Sequence, residues 1–446
     1  MEIIIAGAGE VGTHLAKLLS KENHNITIID KDNAKIKQVS SHLDIMGIVD
    51  NIISIEVLKR VGIKTADLFI SVTENEETNI TACILAKELG VKKTIARIDN
   101  NEFLLEKNKE IVDKLSIDSL IYPQKLASDE IIKLLKQTGT TETFEFSQGH
   151  LSLYTIKLDK DAPIVNKKLK DITNEKNEFD YRAVAIYRNS KTIIPNGEDI
   201  FKVNDLIYVI SNKTGVSSLM QNTGKKKIDI KNVMILGGSR IGKKTAKELQ
   251  KKMNVKLIER NEEKSIELAD YLTDTLVLNG DGSDTELLLE EGVKKMDAFI
   301  AVTDNSETNI LSCLLAKRFG VKKTIAEIEN IDFIDLAEDI GIDTIINKKL
   351  LAASKIYGFT ISAEVSTVKC LTGTEAEVLE FVAHENSKVV NKPLSEVDFP
   401  RDAIIGGIIK GNNSYIAKGD TIIEANDKVV VFTLPEAIQK LEKYFK

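Results

Sequence analysis

Ile3-Ile4-Ile5-Ala6-Gly7-Ala8-Gly9-Glu10-Val11-Gly12 decides the fold. A short apolar run, the right length for a buried strand, leads straight into Gly-x-Gly-x-x-Gly, and Val11, Leu15, Leu18 and Leu19 then recur at helical spacing. Glycines in such a strand-to-helix turn allow the tight bend, the close approach of a pyrophosphate to backbone N–H groups, and close helix–strand packing. Phosphates would sit at the helix N-terminus. Asp30 ends the next apolar run, Ile26–Ile29. A carboxylate there can accept both adenosine ribose hydroxyls and repels a 2′-phosphate. Loop and acid together point to NAD or an adenine nucleotide rather than NADP, although Lys31 weakens that preference; the bland alternative for Asp30 is a solvated strand end.

Working outward, the chain repeats itself. Phe69–Ile98 and Phe299–Ile328 are identical at about two-thirds of positions, and the same offset of roughly 230 residues aligns Ile3–Leu19 with Val233–Leu249. A period this long implies duplication of whole domains. Within the first half, Ile3–Ala6, Ile26–Ile29, Ile45–Val49, Leu68–Val72, Thr94–Ile98 and Ser119–Ile121 read as strands separated by helical patterns. That alternation predicts a doubly wound parallel sheet, an α/β Rossmann fold. After Gln137 the texture changes to alternating strands such as Leu151–Leu158, Ala183–Tyr187 and Leu206–Ile210, a smaller α+β domain. Val389–Leu394 and Lys418–Phe432 repeat it. The expected domains are residues 1–137 (Rossmann), 138–222 (small), 223–362 (Rossmann) and 363–446 (small), with a central linker at Gln221–Lys227.

The second glycine loop reads Gly237-Gly238-Ser239-Arg240-Ile241-Gly242, with Glu259 ending its second strand. Ser239 sets a Cβ where phosphate should approach, and Arg240 could compensate by reaching the phosphates; the alternative is an inherited turn without ligand. Thr73 and Glu74 follow the fourth strand, as do Thr303 and Asp304 in the second copy. These polar residues fall at the carboxyl ends of the strands, where ligands bind in such sheets. Ligand contact and helix capping, the latter by Asn75 or Asn79, weigh equally there. Arg97 ends the fifth strand and suits a phosphate clamp or a surface ion pair. Its counterpart is Glu327.

The chain has 61 Lys and Arg against 68 Asp and Glu, a net charge of -7. That balance argues against nucleic acid as a partner. No apolar run approaches the roughly 18 residues needed to cross a bilayer. Met1–Ala6 enters the glycine motif without a charged leader. The expectation is a cytoplasmic chain that reaches a membrane only through another protein. Cys83, Cys313 and Cys370 lack metal-ligand or disulfide spacing, and Cys83 and Cys313 are expected to fill helix cores. The five histidines do not recur between the halves, and no catalytic or metal-binding constellation is duplicated. What recurs binds; no enzyme is expected.

The Gly7–Gly12 loop, Asp30, Val72–Asn79, Leu89–Ile98 and the small β-rich domain together resemble the regulator-of-potassium-conductance (RCK) module, with RCK N and RCK C parts. Two modules in one chain resemble the peripheral regulatory subunits of bacterial Trk potassium uptake systems. The resemblance covers nearly the whole chain. It implies a homo-oligomeric ring on the inner face of the cell membrane, gating a membrane potassium-translocating subunit and binding NAD(H), or else ATP or ADP. It assigns the phosphate loop to Gly7, Ala8, Gly9, Glu10 and Val11, ribose recognition to Asp30, contacts near the base to Thr73 and Glu74, and a phosphate contact to Arg97. The second half maps to Gly237, Gly238, Ser239, Arg240, Ile241, Glu259, Thr303 and Asp304. A family Gly-Asp pair survives as Gly280-Asp281 but aligns with Asp50-Asn51 in the first half, while Ser239 and Glu327 break the second. The two sites should therefore differ in affinity or preference. Two further readings are an NAD-dependent oxidoreductase using the same loop, and a nucleotide-sensing regulator of another transporter.

Overall fold

The computed structural model describes residues 1–446 except 21–23, 137–141, 174–179, 190, 226–228, 361–364, 372–375, 435–436 and 446. Contacts divide it into two compact units, Met1–Ala127 with Asn347–Ile361, and Ser128–Ile346 with Ser362–Lys446.

In the first unit, strands β1 (Glu2–Ala6), β2 (Asn25–Asp30), β3 (Met46–Val49), β4 (Leu68–Ser71), β5 (Lys93–Arg97) and β6 (Ser119–Ile121) form one parallel sheet in the order β3-β2-β1-β4-β5-β6. Every residue of β4 and the last four of β1 are buried, because helices cover both faces of such a sheet. The order reverses between β1 and β4, which opens a crevice at their carboxyl ends. Cys83 lies fully buried in the Glu76–Glu88 helix, and burial pushes its thiol pKa up. Cys313 in the Ser306–Arg318 helix behaves alike. The side chain of Cys370 lies outside the described residues.

The second unit holds three sheets. Strands β7 (Glu142–Phe146), β8 (Leu151–Lys157), β9 (Tyr181–Arg188), β10 (Lys191–Ile193) and β11 (Leu206–Asn212) are antiparallel in the order β10-β9-β11-β8-β7. Strands β12 (Asn232–Leu236), β13 (Asn254–Glu259), β14 (Thr275–Asn279), β15 (Ala298–Ala301), β16 (Lys323–Glu327) and β17 (Thr344–Ile346) repeat the parallel topology as β14-β13-β12-β15-β16-β17. Strands β18 (Val365–Cys370), β19 (Glu377–Val382), β20 (Ala403–Lys410), β21 (Asn413–Ile416) and β22 (Lys428–Thr433) form the last sheet, β18-β19-β22-β20-β21. The two antiparallel sheets share a core in which Tyr208 and Ile210 meet Val378 and Phe432. Gly406 makes that approach possible, since a Cβ there would lie 2.1 Å from Ile210 Cδ1. The expected central linker differs: Gln221 and Asn222 close a helix, Gly215–Asn222, and 226–228 lie outside the described residues.

The helix after each sixth strand lies, wholly or in part, in the other half's unit. Lys348–Tyr357, which follows β17, packs on Glu10–Leu19 in the first unit. In the second unit the mirror arrangement is visible at Ser128 of the Pro123–Lys136 helix. Its buried hydroxyl accepts a hydrogen bond from Thr245 Oγ1 of the Arg240–Leu249 helix at 3.1 Å. Leu15 and Ala353 occupy the corresponding positions in the first unit and are fully buried. Among the described residues no helix is long and apolar enough to cross a membrane.

Candidate functional site

The three glycines of the first loop have three separable jobs. Gly7 sits at φ +110°, a conformation L side chains rarely adopt, and its N–H donates to Ile29 O at 2.8 Å. Gly12 lies so close beneath the turn that a Cβ would come 1.9 Å from Gly7 O. A Cβ at Gly9 would meet nothing within 4 Å, and Gly9 precedes the Glu10–Leu19 helix without a side-chain cap. Uncapped helix N–H groups beside open space form an anion receptor.

Asp30 is tied to this loop directly. Its Oδ2 accepts Ala8 N–H at 2.6 Å and its Oδ1 accepts Asp32 N–H at 2.9 Å. The carboxylate thus fixes loop and strand end together and retains lone pairs for ribose hydroxyls. In the second copy, Glu259 Oε2 accepts Gly238 N–H and Oε1 accepts Asn261 N–H, both at 2.9 Å, while Lys264 Nζ lies 3.1 Å away. The longer acid fits because position 238 is bare: a Cβ there would approach Glu259 Oε2 to 2.7 Å and Leu268 Cδ1 to 2.3 Å. Burial alone would raise the Glu259 pKa, but the Asn261 N–H and the Lys264 ammonium outweigh it and hold the carboxyl below its ordinary value.

Ser239 fits its loop without a clash, as the open space at Gly9 explains. Its hydroxyl caps the Arg240–Leu249 helix, accepting Gly242 N–H at 3.3 Å and donating to Val302 O at 2.7 Å. A donor left uncapped in the first loop is therefore already engaged in the second. Arg240 and Ile241 open this helix as Glu10 and Val11 open the first. Glu10 pairs with Lys349 at 2.9 Å, a partner 339 residues away that sequence reasoning missed. A Lys-Lys pair opening a helix gives no signal of that contact.

The loops after β4 and β15 resolve the question of capping. Asn75 and Asn305 are the caps, each accepting a backbone N–H at 2.6 Å. Asn79 is instead buried, with Oδ1 accepting from Thr73 N and Thr73 Oγ1 and Nδ2 donating to Thr73 O and Arg97 O, all within 3.0 Å. Asn309 pins Thr303 and Glu327 in the same way. The two threonine hydroxyls are engaged in these networks, whereas Glu74 and Asp304 are exposed. Arg97 is held loosely: Nη2 lies 3.5 Å from Asp99 Oδ1, and its buried Nε has no hydrogen-bond partner among the described residues. An orphaned buried donor is costly and is satisfied by water or ligand. Asp281 holds Ser283 through its N–H and hydroxyl; its aligned residue Asn51 accepts Ile53 N–H at 3.3 Å, and Asp50, aligned with Gly280, pairs with Arg60 at 2.6 Å.

A separate cavity of about 710 Å³ lies between the two antiparallel sheets, away from both loops, lined by Tyr181, Arg182, Phe201 and Ala417 among others. Arg182 Nη1 donates to Ala417 O at 2.6 Å, and burial holds its guanidinium pKa below the ordinary value.

The TrkA-N domain family matches residues 3–123 and 233–348, and the TrkA-C domain family matches residues 153–224 and 378–446. The chain belongs to the TrkA family. Trk system potassium uptake protein TrkA homolog 1 of Methanosarcina mazei is 34% identical over the full length of both chains. The Trk system potassium uptake protein TrkA of Haemophilus influenzae is also 34% identical, over all of this chain and 99% of the relative. Among solved structures, the GsuK RCK domain has a TM-score of 0.59 at 15% identity, covering 100% of this chain and 94% of that one. The GsuK channel bound to NAD has a TM-score of 0.59 at 16% identity, covering 100% and 78%. These likenesses show that the two parallel sheets with their small antiparallel companions are the RCK fold, as the sequence resemblance implied.

Gly9→Ala should leave stability to urea unchanged or raised by up to about 1 kcal/mol, since the backbone there is extended and the space open. Gly12→Ala should destabilise by roughly 1–3 kcal/mol, because its Cβ meets a backbone carbonyl. A second expectation concerns acid. The Glu259 pKa is depressed below 4.5, so its contribution to stability is present above that value and is lost as pH falls through the lower folded value. Thermal unfolding followed from pH 6 to pH 3 should show Glu259→Gln losing less stability than wild type over the acid part of that range.

Proposed function

We propose that the chain is the regulatory, nucleotide-binding subunit of a Trk-type potassium uptake system. The observation that carries this reading is the duplicated glycine loop, each tied by its N–H to an acid at the end of the second strand, in a chain matched along its whole length by potassium uptake proteins. The first loop, with Gly9 open, the helix end uncapped and Arg97 incompletely paired, is the better receptor for a dinucleotide or adenine nucleotide. Gly7, Ala8, Gly9, Glu10 and Val11 receive the phosphates, Asp30 the ribose, and Thr73 and the exposed Glu74 lie near the base. The second loop, with its serine cap, binds more weakly or takes a different nucleotide through Arg240 and Glu259, with Asp304 exposed beside it. NAD(H) is the first candidate ligand and ADP or ATP the next; the GsuK neighbour bound to NAD supports that order.

The ligand acts as a signal and leaves chemically unchanged. Occupancy favours one arrangement of a homo-oligomeric ring, which gates a membrane potassium-translocating subunit from the cytoplasmic side. Such coupling requires tighter binding to one arrangement than to the other. Calorimetry on Asp30→Ala should show first-site affinity for NADH or ADP reduced at least tenfold. Unchanged affinity would remove Asp30 from the site, and loss of NADH absorbance on incubation with wild type would favour the oxidoreductase reading instead.

A further inference from the structure

The two glycine loops carry opposite charges at their first helical position, Glu10 in one and Arg240 in the other. Both positions sit where backbone N–H groups would receive phosphate oxygens. Arg240 favours an anion there. Glu10 opposes one, because like charges a few ångströms apart repel, the more so once a bound ligand displaces the water around them.

The first unit offsets this with a base from the other half of the sequence. Lys349 is the second residue of the Lys348–Tyr357 helix, which packs on Glu10–Leu19. Its Nζ lies 2.9 Å from Glu10 Oε2, with the lysine side chain 24% exposed and the glutamate 53%. The lysine stem is therefore the fixed partner and the glutamate head the one able to turn toward water. The sequence-equivalent residue after β6 is the neutral Gln124, which stays in the first unit and donates to Asp99 Oδ1 at 3.0 Å.

We infer that Lys349 is a phosphate-positioning residue of the first nucleotide site, neutralising Glu10 while the site is empty and turning to the diphosphate when it is filled. This rests on the nucleotide-binding reading above and adds to it a ligand class, an adenosine carrying at least two phosphates, and a contact supplied from the second half of the chain.

Titration calorimetry on the full chain with ADP, NADH and adenosine tests it, with the second site as internal reference. Lys349→Gln should weaken the first site for ADP and NADH about tenfold and leave adenosine unaffected. Lys349→Arg should restore binding. Glu10→Gln should tighten it, and Lys349→Gln should cost less in the Glu10→Gln background than in wild type. Wild-type affinity in Lys349→Gln overturns the inference. So does equal weakening for adenosine and ADP, which would mark the lysine as purely structural. No binding of ADP or NADH to wild type at all would overturn the nucleotide-binding reading itself.

Discussion

The packing of the Lys348–Tyr357 helix on Glu10–Leu19 is the contact on which the first unit depends. A doubly wound sheet must cover both faces, and here part of one cover comes from a segment more than 200 residues beyond the last strand of that sheet. Small and medium side chains, Ala16, Ala352 and Ala353 beside Leu15 and Ile356, are all buried in this layer. The hydroxyl pair of Ser128 and Thr245 stands at the equivalent crossing in the second unit. Each compact unit draws residues from both halves of the sequence. The same packing brings a lysine from the second half of the sequence to within 2.9 Å of Glu10 at the first glycine loop.

Much of this was legible in the sequence, and the reasons are local. Strand-length apolar runs separated by helical patterns fix a parallel sheet, and the glycine spacing fixes where the first helix begins. The repeat carried the reading from one half to the other, and the family resemblance was borne by motifs that occur twice. The exchange of helices was not legible. An amphipathic pattern tells that a helix has a buried face but not which helix covers it, and Lys348–Tyr357 and Pro123–Lys136 are amphipathic whether or not they change halves. Asn75 and Asn79 show the same limit at smaller scale: both are asparagines near a helix start, but one bonds three residues ahead while the other reaches a carbonyl 18 residues on.

The two sites share a frame and differ in chemistry. Each joins the glycine turn to the second strand through a carboxylate accepting a loop N–H, but the first keeps its helix donors uncapped and the second uses a serine hydroxyl. The longer acid Glu259 is accommodated by the loss of a methyl at position 238, a paired change that keeps the latch. Such compensated changes give one chain two related loops with different chemistry at the helix end.

Hydrogen exchange on the full chain, with and without saturating NADH, tests most directly whether a nucleotide at the first loop is felt by the second half of the sequence. The account predicts slowed exchange in residues 8–19 and, at the same ligand concentrations, in residues 348–357. Protection confined to residues 8–19, with 348–357 unchanged, would contradict it.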